Sequence, residues 1–223
     1  KSVAPNYTFE TIGVHLLNCT GYKVQENMFE EYNDIGVLGQ GNTIGVLVDN
    51  SGTSDNEIYK NSFKNLRVGG QSQKINSVNY NPATNNPNNV GLRWKCNNFI
   101  GDIYQADIGV SSGRIAYQQG YCLPLGYPHA EVTPAGNKFS HSANNSTNDF
   151  WMNLGVLPLQ YSHHADLSTT PVDYTTNLLL PMNCSPNGDV YFNETTSCRS
   201  RLRSGIVIDI VIGLTSTANA LQE

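Results

Sequence analysis

An Asn-x-Phe tripeptide returns four times along the chain, as Asn27-Met28-Phe29, Asn61-Ser62-Phe63, Asn97-Asn98-Phe99 and Asn137-Lys138-Phe139. The intervals of 34, 36 and 40 residues are regular enough to define a repeat, and uneven enough to require loops of different length. The first two copies agree well beyond the tripeptide. Ile12-Gly13-Val14-His15-Leu16-Leu17-Asn18 matches Ile44-Gly45-Val46-Leu47-Val48-Asp49-Asn50 in type and order, and Val24 matches Ile58. A shorter third copy runs from Val90 through Trp94 to Phe99.

Segments such as Gly45-Val46-Leu47-Val48 and Gly91-Leu92-Arg93-Trp94 are short, rich in β-formers and bounded by Asn, Gly, Ser and Asp, so they read as strands joined by tight turns. The repeat then predicts an all-β fold, a right-handed parallel β-helix. In it, each coil lays its strands on the previous coil and equivalent side chains stack about 4.8 Å apart. Phe29, Phe63, Phe99 and Phe139 form one expected interior column. Asn27, Asn61, Asn97 and Asn137 form an expected amide ladder, with Asn also suited to the left-handed backbone of a sharp turn. Burying one Phe contributes about 1.5–3 kcal/mol and one net hydrogen bond about 0.5–1.5 kcal/mol. The rings are therefore expected to dominate stability and the amides to fix the turn.

Residues 1–142 are expected to be coils with loop insertions, and residues 143–223 a C-terminal coil and irregular cap. The Asn-, Pro-, Gly- and Ser-rich stretch 69–89 and the stretch 121–134 read as exposed loops. The cap is needed because an open sheet end offers unpaired backbone to other chains. The β-branched stretch 204–214 reads as a strand.

The segments 44–52, 56–63, 91–99 and 135–140 resemble those of secreted surface proteins of Bacteroidetes that contain right-handed parallel β-helices and are exported by the type 9 secretion system. The resemblance spans most of residues 8–142 and continues through Tyr161-Ser162-His163-His164. It implies architecture and a cell-surface or secreted location, not a chemistry. The C-terminal sorting domain of such cargo is not present in the sequence, and the chain reads as a fragment of something longer with flanking domains.

With 39% apolar and 14% charged residues in 223, the composition fits a folded β protein. A net charge of −5, with 13 Lys and Arg spread thinly, disfavours nucleic acid and polybasic membrane contact. The apolar run 206–214 is interrupted by Asp209 and is shorter than the ~20 residues of a membrane span. No positive n-region followed by an apolar h-region opens the sequence at Lys1, so any signal peptide is expected to have been removed or to lie outside this fragment.

Five cysteines lack any CxxC pair or zinc-finger histidine, so no metal or other cofactor is expected. Cys184 and Cys198 flank a polar loop and form the disulfide candidate, whereas Cys19 and Cys96 lie beside strands and read as small buried residues. Sequons at Asn6, Asn18, Asn145 and Asn193 match the chance frequency of an Asn-, Ser- and Thr-rich chain.

Catalytic candidates are few. His163-His164 with Asp166 and Tyr161 offers a carboxylate-oriented base, but adjacent strand residues face opposite ways, so only one histidine serves a given site. The remaining acids form no recognisable motif, and there is no GxSxG, Walker loop, HExxH or EF-hand. Tyr59, Trp94, Tyr104 and Tyr117 form a candidate stacking stripe for a glycan or another surface protein. Three readings follow. A non-catalytic binder or display protein comes first, ahead of a polysaccharide lyase or hydrolase on a β-helix and a structural stalk.

Overall fold

The computed structural model describes residues 10–32, 42–79, 90–101, 103, 105–122, 133–141, 148–175, 177–184 and 197–201. Three rungs of three strands open the molecule. The first is β1 (Glu10–Leu17), β2 (Lys23–Gln25) and β3 (Met28–Glu30), and the second is β4 (Asn42–Asp49), β5 (Asn56–Tyr59) and β6 (Ser62–Lys64). The third is β7 (Val68–Gln73), β8 (Leu92–Lys95) and β9 (Asn98–Ile100). Each strand pairs in parallel with its counterpart one rung on, giving sheets ordered β1-β4-β7, β2-β5-β8 and β3-β6-β9. The register aligns Phe29 with Phe63 and Phe99, and Val24 with Ile58 and Trp94. The chain is thus an all-β protein of mostly parallel sheets.

The interior is built by columns. The Phe29, Phe63, Phe99 and Phe139 rings stack with centroids 5.2, 5.1 and 6.3 Å apart and planes within 13° of parallel. All four are buried in the main hydrophobic cluster. Facing them is a column of glycines. A Cβ on Gly13, Gly45 or Gly69 would lie 2.9, 2.6 or 2.5 Å from a ring carbon of Phe29, Phe63 or Phe99. The bare glycine therefore makes room for the ring of its own rung.

The asparagines close the corner before β3, β6 and β9. The backbone N–H and Nδ2 of each donate to Oδ1 of the next, at 3.0 and 2.9 Å for Asn27 to Asn61, 3.0 and 3.2 Å for Asn61 to Asn97, and 2.9 and 3.0 Å for Asn97 to Asn137. Nδ2 of Asn61, Asn97 and Asn137 also donates to the strand of the previous rung, at the Val24, Ile58 and Trp94 carbonyls in turn. The left-handed residue of this corner is not the asparagine but the one before it: Glu26, Lys60, Cys96 and Gly136, with φ of 57, 55, 60 and 67°. That turn aims the amide inward, where one side chain satisfies backbone groups that the bend takes out of the ladder.

Two further strands, β10 (Ala106–Val110) and β13 (Asn148–Met152), extend the first sheet to five. The other two sheets are not continued in the same way. Instead β11 (Gln118–Tyr121), β12 (Thr133–Pro134), β14 (Leu159–His163) and β15 (Leu179–Asn183) form a sheet ordered β12-β11-β14-β15, with only β11–β12 antiparallel. Strands on both sides of residue 142, β10 and β13, pair within the first sheet.

Two loop expectations are corrected. Residues 69–73 are not loop but lie in β7, where Gly69 and Gly70 are buried against Phe99 and Trp94; only from 80 to 89 does the expected loop fall outside the described residues. Tyr121 and Thr133–Pro134 belong to β11 and β12, and 123–132 lies outside the described residues, as does the expected strand 204–214.

The disulfide expectation is also corrected. Cys184 and Cys198 do not pair with each other. The bridges are Cys96–Cys198 and Cys122–Cys184, with Cα atoms 5.5 and 5.3 Å apart. The partners are brought together from 102 and 62 residues apart in the chain. Cys96 is consequently bridged, and Cys19 is an exposed free thiol rather than a buried one.

Candidate functional site

The four aromatic candidates do not share a surface. Trp94 is fully buried, its Nε1 donates to Ser72 Oγ at 3.3 Å, and its ring lies against Gly70. Ile58 pairs with Trp94 across β5 and β8, and both sit in the main core; Tyr59, the next residue, therefore points out of the opposite face. There it packs with Cys96 and Cys198 beneath residues 197–201. Tyr117 is half-buried, and Tyr104 lies outside the described residues. A stripe through Tyr59 and Trp94 is ruled out by strand alternation.

The His163-His164-Asp166-Tyr161 group is brought together, but not as a base. Asp166 caps the 3-10 turn Leu167–Thr169, accepting from Ser168 N at 2.8 Å and Ser168 Oγ at 2.6 Å, and these bonds hold its carboxyl below the usual carboxylate range. His163 Nδ1 instead meets the His164 carbonyl at 2.7 Å and Thr170 Oγ1 at 3.1 Å, and burial pulls its pKa down. The Tyr161 hydroxyl accepts from Asn137 Nδ2 at 3.1 Å, ending the amide ladder, and burial pushes its phenol well up. Tyr161 packs 5.6 Å from Phe139 and 5.9 Å from Phe150.

A second polar cluster was not singled out by the sequence. Asp107 lies between Ala106 and Ile108, which pair with Val68 and Gly70, so it takes the column position of Gly69; the same register places Asp149 one strand further on. The aspartates thus continue the glycine column. Asp107 accepts from Ser140 N at 2.6 Å and Ser140 Oγ at 2.8 Å, next to Phe139. Asp149 Oδ2 meets His141 Nδ1 at 3.0 Å and accepts from Val172 N at 2.8 Å. Burial pushes both carboxyls up; the Ser140 bonds only partly offset this for Asp107, and the Val172 and His141 bonds only partly for Asp149.

Ser, His and Asp are all present here, yet not in a nucleophile geometry. Ser140 Oγ is bonded to Asp107, and His141 Nε2 is bonded to the Leu167 carbonyl at 2.9 Å. A triad requires that second ring nitrogen on the nucleophile. Both ring nitrogens instead tie the turn at His141, itself left-handed at φ 43°, to Asp149 and the 3-10 turn. Among the described residues, no group of three His, Cys, Asp or Glu is placed to hold a metal ion. The signal that would have found the cluster is positional: an acid where three earlier rungs carry glycine.

The outer face of β2 and β5 carries a third polar cluster. Residues 197–201, fastened by Cys96–Cys198, cross it as a strap. Tyr59 Oη donates to the Arg199 carbonyl at 2.8 Å, Ser200 Oγ to Glu26 at 2.6 Å, and Arg201 N to Glu26 at 2.6 Å. The Arg201 guanidinium bonds Glu57 and lies 3.6 Å over the Tyr59 ring. Burial raises the Tyr59 phenol despite the guanidinium beside it. Burial also lowers the neighbouring Lys95, an effect that Glu57 partly offsets.

No protein-family model matches the chain, and no curated protein or solved structure is detectably similar to it.

Proposed function

We propose that the chain is part of a right-handed parallel β-helix that works without catalysis, as a secreted or surface-exposed scaffold for display and adhesion. The observation that carries this is that its buried or turn-capping aspartates are already engaged by neighbouring groups of the fold. Asp107 is sealed with Ser140, Asp149 with His141 and Val172, and Asp166 with Ser168. An enzyme instead leaves acid and base converging on an open groove. The matched parallel registers of three sheets support the winding, with turns free to vary in length between rungs.

Two disulfides that join residues 102 and 62 positions apart in the chain suit an oxidising compartment. This favours the outer-surface location that the likeness to type 9 cargo implies. Binding of glycans through a ring stripe is disfavoured by the burial of Trp94, and the turns become the preferred contact surface.

The test pairs two assays. Incubation with pectate, alginate and neutral polysaccharides is expected to yield no new reducing ends or unsaturated products, while beads coated with the protein are expected to be retained on cell-surface or glycan arrays. Turnover lost in Asp107→Asn or His141→Ala would overturn the reading in favour of an enzyme. Absence of both turnover and retention would leave a stalk.

A further inference from the structure

We propose that the outer face of β2 and β5, built from Glu26, Glu57 and Tyr59, is a recognition site for an extended, arginine-bearing peptide, with the disulfide-held residues 199–201 as its built-in occupant. The contacts match four different chemical features of one short peptide. Tyr59 offers its ring face to a guanidinium, which is attracted by the ring quadrupole. The Glu57 carboxylate receives two nitrogens of the same guanidinium. Glu26 receives a main-chain N–H with one oxygen and a serine hydroxyl with the other, and the Tyr59 hydroxyl reads a main-chain carbonyl.

The receiving groups sit on rigid elements. Glu57 and Tyr59 lie on β5, paired on both sides with β2 and β8, and Glu26 occupies the left-handed corner directly after β2. The occupant comes from 140 residues or more along the chain. A tail that merely packed would cover Tyr59 with apolar side chains. Here polar atoms of the strap meet polar partners, and Glu26 and Glu57 are the acceptors on a face that also carries Lys23, Arg93 and Lys95.

The Cys96–Cys198 bridge keeps the occupant at high effective concentration, so the oxidised protein is self-occupied. A dithiol reductant changes that. Its two thiols transfer two electrons to the bridge, the Cys96–Cys198 bond breaks, each sulfur takes a proton, and the reductant closes into its own disulfide. The strap then competes for the face with any free peptide of like chemistry, including the same segment of a second copy.

The test uses a fluorescent peptide of residues 197–201 with serine in place of Cys198. Saturable binding is expected to the full chain carrying Cys96→Ser and Cys198→Ser, and no binding to the oxidised wild type. Adding Glu57→Gln to the double variant is expected to weaken binding about tenfold or more, as loss of a charge-assisted bond implies. A peptide with alanine at the Arg201 position is expected not to bind. A double variant with native near-UV circular dichroism that ignores the peptide, or an oxidised wild type that binds it equally well, would overturn the proposal. If the double variant loses its fold, the oxidised chain decides. There, Glu57→Gln is expected to speed tryptic cleavage after Arg201 about tenfold relative to other sites, and an unchanged rate would refute the site.

Discussion

The first three rungs and the last two solve the same problem with different chemistry. In the early rungs, backbone repetition does the work: β2, β5 and β8 pair strand to strand, glycines admit the rings, and identical asparagines hand one bond to the next. Beyond β8, side chains stand in for backbone. Buried Gln119 accepts from Trp94 N at 2.8 Å and donates to the Leu92 carbonyl at 3.0 Å, filling an edge of β8 that backbone reaches only at Ala116 N to the Leu92 carbonyl and, just beyond the strand, at Cys96 N to the Ala135 carbonyl. Asp107 and Asp149 replace glycine, and Tyr161 replaces the next asparagine as ladder partner. A stack can thus end without a matching strand, provided that each orphaned backbone group meets a side chain of suitable reach.

Substitutions separate the two regimes. The largest effect is expected for Phe63→Ala, about 3–5 kcal/mol by chemical denaturation, because Phe63 loses a stacked ring on both sides. Phe139→Ala is expected to cost less, since one of its ring neighbours, Tyr161, is tilted and can settle into the gap. Equal costs would erase the distinction between the regions.

Next comes Gly69→Ala. Its Cβ would meet Phe99 at 2.5 Å and the Asp107 carbonyl at 2.7 Å, for an overpacking cost of about 1–3 kcal/mol. At the aligned position of the later rung, Asp107→Ala introduces no such clash, so a denaturation midpoint falling more for the glycine than for the aspartate change is not expected to come from lost hydrogen bonds. Gln119→Leu is expected to cost about 1–3 kcal/mol by leaving Trp94 N–H unpaired in the interior. A neutral outcome would mean that β8 does not need its substitute edge.

The smallest effect is a slope with pH. Burial raises the Asp107 carboxyl above the usual range in the folded chain, so the folded state holds its proton more tightly than the unfolded state does. Its contribution is fully present at acid pH, below the unfolded carboxylate value, and is lost as pH rises through the folded value. Asp149 acts in the same sense. Thermal unfolding of wild type minus Asp107→Asn, measured from pH 4 to pH 8, is expected to fall with rising pH; a flat or rising difference would remove Asp107 from the buried set.

Much of the early architecture was legible because it rests on identity repeated at fixed spacing. The rings, the amides and the strand phases of β1 to β9 follow from Asn-x-Phe and its flanking apolar residues. The later rungs were illegible for a physical reason: Gln119, Asp107 and His141 act by position in a column, and no local pattern marks a polar residue as a replacement for backbone. The cysteines misled in the same way, since proximity in sequence favoured Cys184 with Cys198 while stacking brought Cys96 to Cys198 and Cys122 to Cys184. Tyr59 and Trp94 were grouped as aromatics although their registers put them on opposite faces.

Ring-to-ring nuclear Overhauser contacts in protein carrying labelled phenylalanine decide whether the rungs are stacked as described. Phe63 is expected to show contacts to both Phe29 and Phe99, whose centroids lie 5.2 and 5.1 Å away. A folded sample in which Phe63 contacts neither ring would contradict the stacked column, and with it the register of all three parallel sheets.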